Sequence, residues 1–277
     1  MSSPLKPMHT IPIDTFDAAR KVYNLAHVYL IIGDRLQTLL KSADLTRLDP
    51  ASSLDAPTAL RLAMVTAFQY AESLPDSAAE EAIRRRMDWK YALHLSLDHP
   101  GYSGETLCQF RRNLFSSSES LADFHQLLIF LGEAGLYSKA DLKSIDAIEV
   151  LTTICQISRI ARLNQVMKRE LSRLVGQTPD WLRANAPPHW YARYATGRLG
   201  RLVSLEPAEM VVTAERLGAD LDTLIGLYQR ERLKDTDDPS GIGFLNQLLE
   251  EQFIRNGDGL HWRFPGCLDC ARRPRDA

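Results

Sequence analysis

Apolar residues recur along this chain at intervals of three and four, the spacing that lines up one face of a helix. Val22, Leu25, Tyr29, Ile32, Leu36 and Leu40 form such a row and predict a helix over 16–41. The segment from Leu48 to Pro57, rich in Asp, Ser and Pro, reads as a loop. Ala59 to Tyr70 is apolar on nearly every side, as in a buried helix, here over 58–72. Ser77 with Glu80 three residues later is a capping-box pattern that opens a helix from Ala78 to Arg86. A short aromatic stretch, Trp89 to Leu95, follows. His99-Pro100-Gly101 then breaks the chain, and Ser103 stands where it can cap a helix over 105–115.

The second half follows the same rule. Helices are predicted over 120–134, 150–175 and 207–231, with a last one from Phe244 to Ile254. In the longest, Ile154, Ile157, Ile160, Leu163, Met167, Leu171 and Leu174 make the apolar stripe. Thr178 reads as a cap, with Pro179 in the first position of a short helix carrying Trp181. Pro187 and Pro188 precede an aromatic cluster of Trp190, Tyr191 and Tyr194. Leu142 to Val150 is open between a strand and the start of the next helix. With no repeats and no run of alternating strands, the pattern gives an all-α fold. Its architecture is a multi-helix bundle with helix-turn-helix-like elements and short connections.

Composition narrows the class. Of 277 residues, 45% are hydrophobic and 25% charged, which fits a globular protein and excludes a disordered one. The formal net charge of −2 gives no uniformly basic module. Its distribution is uneven: Val150 to Val203 carries nine Lys/Arg against two Asp/Glu, and Leu205 to Asp258 five against twelve. A basic block beside an acidic one marks either a polyanion-binding face or two solvated helix faces. Four cysteines in a chain this long do not make a disulfide scaffold, and Cys108 and Cys155 read as core residues. Met1 to Pro12 has no apolar signal region, and the longest apolar stretch, Val28 to Ile32, is too short for a bilayer. A cytoplasmic protein with no membrane partner is expected.

Candidate chemistry lies in charged clusters. Arg84, Arg85, Arg86, Lys90, Arg111 and Arg112 sit on the helix pairs between Leu60 and Leu114, where a helix-turn-helix would set cations against DNA phosphates. Solvated arginines on an ordinary bundle are the plainer reading. A second basic face comprises Arg159, Arg162, Arg169 and Arg173. Asp146 either caps the helix that follows or, on a strand, offers one carboxylate to a divalent cation. Cys267 and Cys270 form a CxxC near His261, but a structural zinc site needs a fourth ligand. His189, among aromatics, reads as packing. No phosphate-binding glycine loop, nucleophile elbow or HExxH motif is present.

Three stretches carry a family likeness: Ala82-Ile83-Arg84-Arg85-Arg86-Met87-Asp88-Trp89-Lys90-Tyr91-Ala92-Leu93, then Phe110-Arg111-Arg112-Asn113-Leu114, then Trp181-Leu182-Arg183 with Pro187-Pro188-His189-Trp190-Tyr191. In this order, over roughly Thr58 to Phe264, they resemble DDE-type insertion-sequence transposases with a helical N-terminal domain. The resemblance implies that the helical domain binds double-stranded DNA, the terminal inverted repeats of the element. It also implies a catalytic domain of RNase H type, with three carboxylates around two Mg²⁺ ions. Asp146 falls at the place of the first carboxylate. The layout it implies is an N-terminal helix and linker (1–57), a DNA-binding domain (58–141), the start of a catalytic domain with a helical insertion (142–264) and an atypical tail (265–277). With the second Asp and the Glu of the triad missing, the chain reads as a C-terminally truncated portion from an early stop or a frameshift. The expectations are at most one remnant strand, no Mg²⁺ bound by this chain alone, and no strand cleavage on its own. Expected partners are element-end DNA and further copies of itself or a full-length transposase. A non-enzymatic regulator and an inert relic are the other readings.

Overall fold

The computed structural model describes residues 10–42, 45, 47–51, 53–195, 206–231, 239–257 and 259–263. The predicted tail, with Cys267 and Cys270, lies outside them. Two compact units divide the chain, the first up to Cys155 and the second from Gln156 onward. The boundary falls inside one long helix.

The first unit contains α1 (Ile13–Val22), α2 (Val28–Ser42), α3 (Ala56–Glu72), α4 (Asp76–Arg85), α5 (Met87–Ala92), α6 (Gly104–Phe115), α7 (Ser118–Glu133), α8 (Lys139–Ser144) and the first turns of α9 (Ala147–Gln177). Leu36, Leu62, Met64, Phe68, Trp89, Phe110, Leu127 and Leu131 are among its fully buried core residues. The single helix predicted over 16–41 is two helices. Asn24 breaks it: its side-chain oxygen accepts from the Ala26 amide at 2.9 Å, and its carbonyl accepts from the His27 amide at 2.9 Å. That local turn competes with helix continuation, a recognised habit of Asn.

α2 and α5 cross closely at Gly33. A Cβ there would lie 2.8 Å from the Tyr91 ring and 2.9 Å from the Tyr91 carbonyl oxygen, so the crossing needs glycine. α5 ends immediately beyond, where His94 adopts a left-handed conformation with φ of 52°. The Leu95 amide closes back on the Lys90 carbonyl at 2.9 Å, a Schellman-type ending. The His94 ring Nε2 lies 2.9 Å from the Gly33 carbonyl oxygen, which ties the end of α5 to the crossing.

Local capping follows the sequence in part. Ser103 caps α6, accepting from the Thr106 amide at 3.1 Å. The capping box at Ser77 and Glu80 does not form: α4 starts two residues earlier, at Asp76 behind Pro75, and Glu80 instead accepts from the Gly104 amide at 2.9 Å. Leu142 to Val150 is helical apart from a short break, as α8 and then α9, with no strand.

The second unit holds the rest of α9, α10 (Pro179–Asn185), a π-helical turn (Tyr191–Ala195), α11 (Pro207–Glu231), α12 (Pro239–Gln252) and the strands β1 (Phe253–Asn256) and β2 (Gly259–Trp262). Its core includes Ile157, Leu163, Met167, Leu221, Leu224 and Leu248. Pro179 occupies the first turn of α10, but the Thr178 hydroxyl makes no cap bond and donates back to the Leu174 carbonyl at 3.4 Å. The last predicted helix stops at Gln252. Phe253 to Trp262 folds into an antiparallel hairpin, with Phe253 opposite Trp262 and Asn256 opposite Gly259. An isolated hairpin is marginal; this one packs on α11, where Gly218 leaves room for the Phe253 ring. The fold is otherwise all-α, as the periodicity implied.

Candidate nucleic-acid interface

The run Arg86-Met87-Asp88-Trp89-Lys90-Tyr91 carried most of the resemblance, and the structure uses nearly all of it internally. Arg86 bridges Asp88, at 2.8 Å, and Glu72. Its guanidinium also lies 5.4 Å from the Tyr29 ring centroid and 5.0 Å from that of Trp89, within cation–π range. Partial burial disfavours its charge, but the bonds to Asp88 and Glu72 outweigh this and hold the guanidinium pKa above its ordinary value. Glu72 also accepts from the Tyr29 hydroxyl and, at 3.2 Å, from the Trp89 indole N–H. Burial first, and then this bond to Glu72, push the Tyr29 hydroxyl well above its usual pKa. Tyr91 donates to Asp34 at 2.7 Å and accepts from Arg20 at 3.0 Å.

Lys90 is buried as well, with 2% of its surface exposed. Its ammonium donates to the carbonyl oxygens of Leu97 and, at 3.0 Å, His99, pinning the loop that leads to α6. Burial lowers its pKa against the opposing pull of Asp98 and Asp14. Arg111 is wholly buried, paired with Asp76 at 2.7 Å and bonded to Gln69 at 3.2 Å. Burial therefore takes Lys90 and Arg111 out of reach of a phosphate, and Arg86 is largely committed inward. Their sequence pattern marked the frame of the domain.

What the frame leaves outside is a smaller set. Arg84 and Arg85 project from the last turn of α4, half or more exposed, and share Glu81 one turn back. Exposed pairs of this kind are weak and exchange readily for another anion. On α6, Leu107, Cys108, Phe110, Arg111 and Leu114 face inward. The exposed Gln109 and the half-buried Arg112 and Asn113 form a polar ladder on the other side, Gln109 donating to Asn113 at 3.1 Å, Arg112 donating to Gln109 at 3.3 Å and Asn113 donating to Asp49 at 3.4 Å. The sequence pattern singled out the cations of this helix and held Asn113 only as part of the Phe110–Leu114 stretch; the i, i+4 amide pair of Gln109 and Asn113 opposite the apolar stripe was the available sign.

The second basic face does not form a continuous surface. Arg159 is buried, bonded to Gln252 at 2.6 Å and to the Arg263 carbonyl at 3.1 Å, with its guanidinium 4.6 Å from the Trp262 ring. Arg173 binds Glu170 at 3.1 Å and the Tyr228 hydroxyl at 2.6 Å. Arg162 is half-buried, and Arg169 is exposed beside Glu170. His189 is drawn to Asp220 at 3.2 Å. His261 lies 3.5 Å from Glu215.

Asp146 caps α9. Its Oδ1 accepts from the amides of Ile148 at 2.9 Å and Glu149 at 3.0 Å. The residues do not fit a two-metal centre: this carboxylate faces helix amides, and no group of three or more His, Cys, Asp or Glu among the described residues could hold a metal ion. Cys108 and Cys155 are both buried, as the pattern suggested, and Cys155 is disulfide-bonded. Among the described residues no helix is long and apolar enough to cross a membrane.

Residues 35–113 match a family described as Transposase domain (DUF772). No curated protein and no solved structure gives a significant match to the chain. The matched span runs from α2 through the Arg86–Tyr91 frame to the polar ladder of α6, and over these residues the chain is similar to this transposase domain family.

Proposed function

We propose that the domain of residues 35–113 binds duplex DNA, the ends of a mobile element, for transposition. The match to a transposase domain carries this reading. The chemistry left on the outside supports it. Gln, Asn and Arg are the side chains that read base edges in a major groove, and Gln109, Arg112 and Asn113 stand together on one face of a 12-residue helix. Arg84 and Arg85 supply cations for phosphates on the neighbouring α4. α4 and α6 pack against each other, so both groups belong to one rigid body. Recognition, and not cleavage, is the role given to these residues.

The test is a mobility-shift titration against salt, using element-end and scrambled duplexes. Replacing Arg84 and Arg85 together by alanine is expected to weaken both duplexes alike and to reduce the salt slope by about two. Replacing Gln109 and Asn113 by alanine is expected to remove the preference for element ends while leaving the slope unchanged. If both double variants bind as the parent does, with circular dichroism intact, the interface is elsewhere.

A further inference from the structure

The second unit carries an aromatic groove that the duplex-binding reading does not use. It has a volume of about 650 Å³ and lies between the C-terminal half of α9, α10 and the π-helical turn. Lys168, Arg183, Pro187, Trp190, Tyr191 and Tyr194 are among its lining residues, and among the described residues no carboxylate lines it. The turn is clamped from its inner side. Tyr194 donates to the buried Asp220 at 2.6 Å, Arg193 pairs with the same carboxylate, and His189 lies 3.2 Å from it. On the outer side Tyr191 is 81% exposed. A π-helical turn of this kind is a frequent mark of a functional site.

We propose that this groove takes an unpaired nucleotide of DNA, its base stacked on Tyr191 and its phosphate against Lys168. The volume falls within the roughly 300–1,000 Å³ of ligand pockets. Aromatic faces beside cations are how proteins hold unpaired bases without reading their sequence. Charge selects this occupant over an apolar peptide. Lys168 makes no ion pair among the described residues, and Arg183 has only the exposed Asp180 at 3.2 Å. An apolar segment in the groove would desolvate an ammonium with no anion to meet it. The proposal rests on the reading of the chain as a DNA-binding transposase relative, and its test separates the two.

The probe is a short fluorescent oligothymidine, followed by anisotropy with the full chain; a blunt duplex is titrated in parallel. Tyr191→Ala is expected to weaken oligothymidine binding by roughly tenfold, and Tyr191→Phe, which keeps the aromatic face, to bind within about twofold of the parent. Lys168→Ala is expected to lower the single-strand salt slope by roughly 0.7. All three variants should bind the blunt duplex unchanged, because its proposed interface lies on α4 and α6. Oligothymidine binding that is absent, or that ignores Tyr191→Ala, overturns the groove proposal while leaving duplex binding standing. Capture of an apolar dye that oligothymidine does not displace would also overturn it.

Discussion

Arg111 separates a structural from a DNA-binding role most sharply. Its guanidinium is fully buried, 2.7 Å from Asp76, whose side chain is itself only 16% exposed. Arg111→Met keeps the aliphatic stem and removes the charge. Deleting one partner of a buried pair costs about 3–5 kcal/mol, because the other charge is left uncompensated. Here Asp76 keeps a bond from the Gln69 amide at 2.9 Å, which places the expected loss near the lower figure, about 3 kcal/mol. With a urea dependence of about 1–3 kcal/mol per molar, the unfolding midpoint should fall by roughly 1–3 M, read by circular dichroism. Arg112→Met, on the outer ladder, should stay within about 0.5 kcal/mol of the parent. The pattern inverts for DNA: Arg112→Met weakens the preference for element ends, whereas Arg111→Met, under conditions where it remains folded, does not. An Arg111→Met protein of parental stability that has lost part of that preference would refute the assignment.

Two further outcomes follow from local geometry. His99 Nδ1 accepts from the Gly101 amide at 3.0 Å, and burial, with Arg61 and Lys90 nearby, holds its pKa below the ordinary 6.5. The unfolded chain therefore takes up a proton near pH 6.5 that the folded chain resists, so stability drops as pH falls from 6.5 through the folded value. The urea midpoint should be lower at pH 5.5 than at 7.5, and His99→Gln should shrink that difference; identical pH profiles would rule His99 out. For Asp146, Asp146→Ala should cost about 1 kcal/mol as a lost helix cap and Asp146→Ser much less, with no Mg²⁺-dependent plasmid nicking by the parent. Nicking by the parent that Asp146→Ser abolishes would show a catalytic carboxylate instead.

The chain's periodicity revealed most of the helices, and particular residues show where it stopped. α11 spans 207–231 as its apolar spacing implied, since a helix packed along one stripe writes that stripe into the sequence. The break at Asn24 was hidden because apolar positions continue in register across it; only the Asx turn gave it away. The hairpin after Gln252 was missed although Asn256-Gly257 is a turn dipeptide, because Phe244 to Ile254 has helical spacing. The site was less legible. A run of arginines looks the same whether its charges face solvent or carboxylates, and Glu72, which pairs with Arg86, and Asp76, which pairs with Arg111, lie 14 and 35 residues away from them. Asp146 was readable as a cap because capping is local.

The inward commitment of the Arg86 frame has a kinetic consequence. Its cation lies against Glu72 and Asp88, and that of Arg111 against Asp76; even Arg84 and Arg85 share Glu81. Most of this charge is compensated, with about one net positive charge left where Arg84 and Arg85 share Glu81, and at a screening length of about 8 Å in physiological salt little of that field reaches an approaching duplex. Long-range steering of encounter, which lifts association toward 10⁸–10⁹ M⁻¹s⁻¹ in strongly charged systems, is then weak, and rates near the unsteered ~10⁵–10⁶ M⁻¹s⁻¹ follow. If the domain binds duplex as proposed, it would sort DNA after touching it, by how long each complex survives, and not by how often it is found.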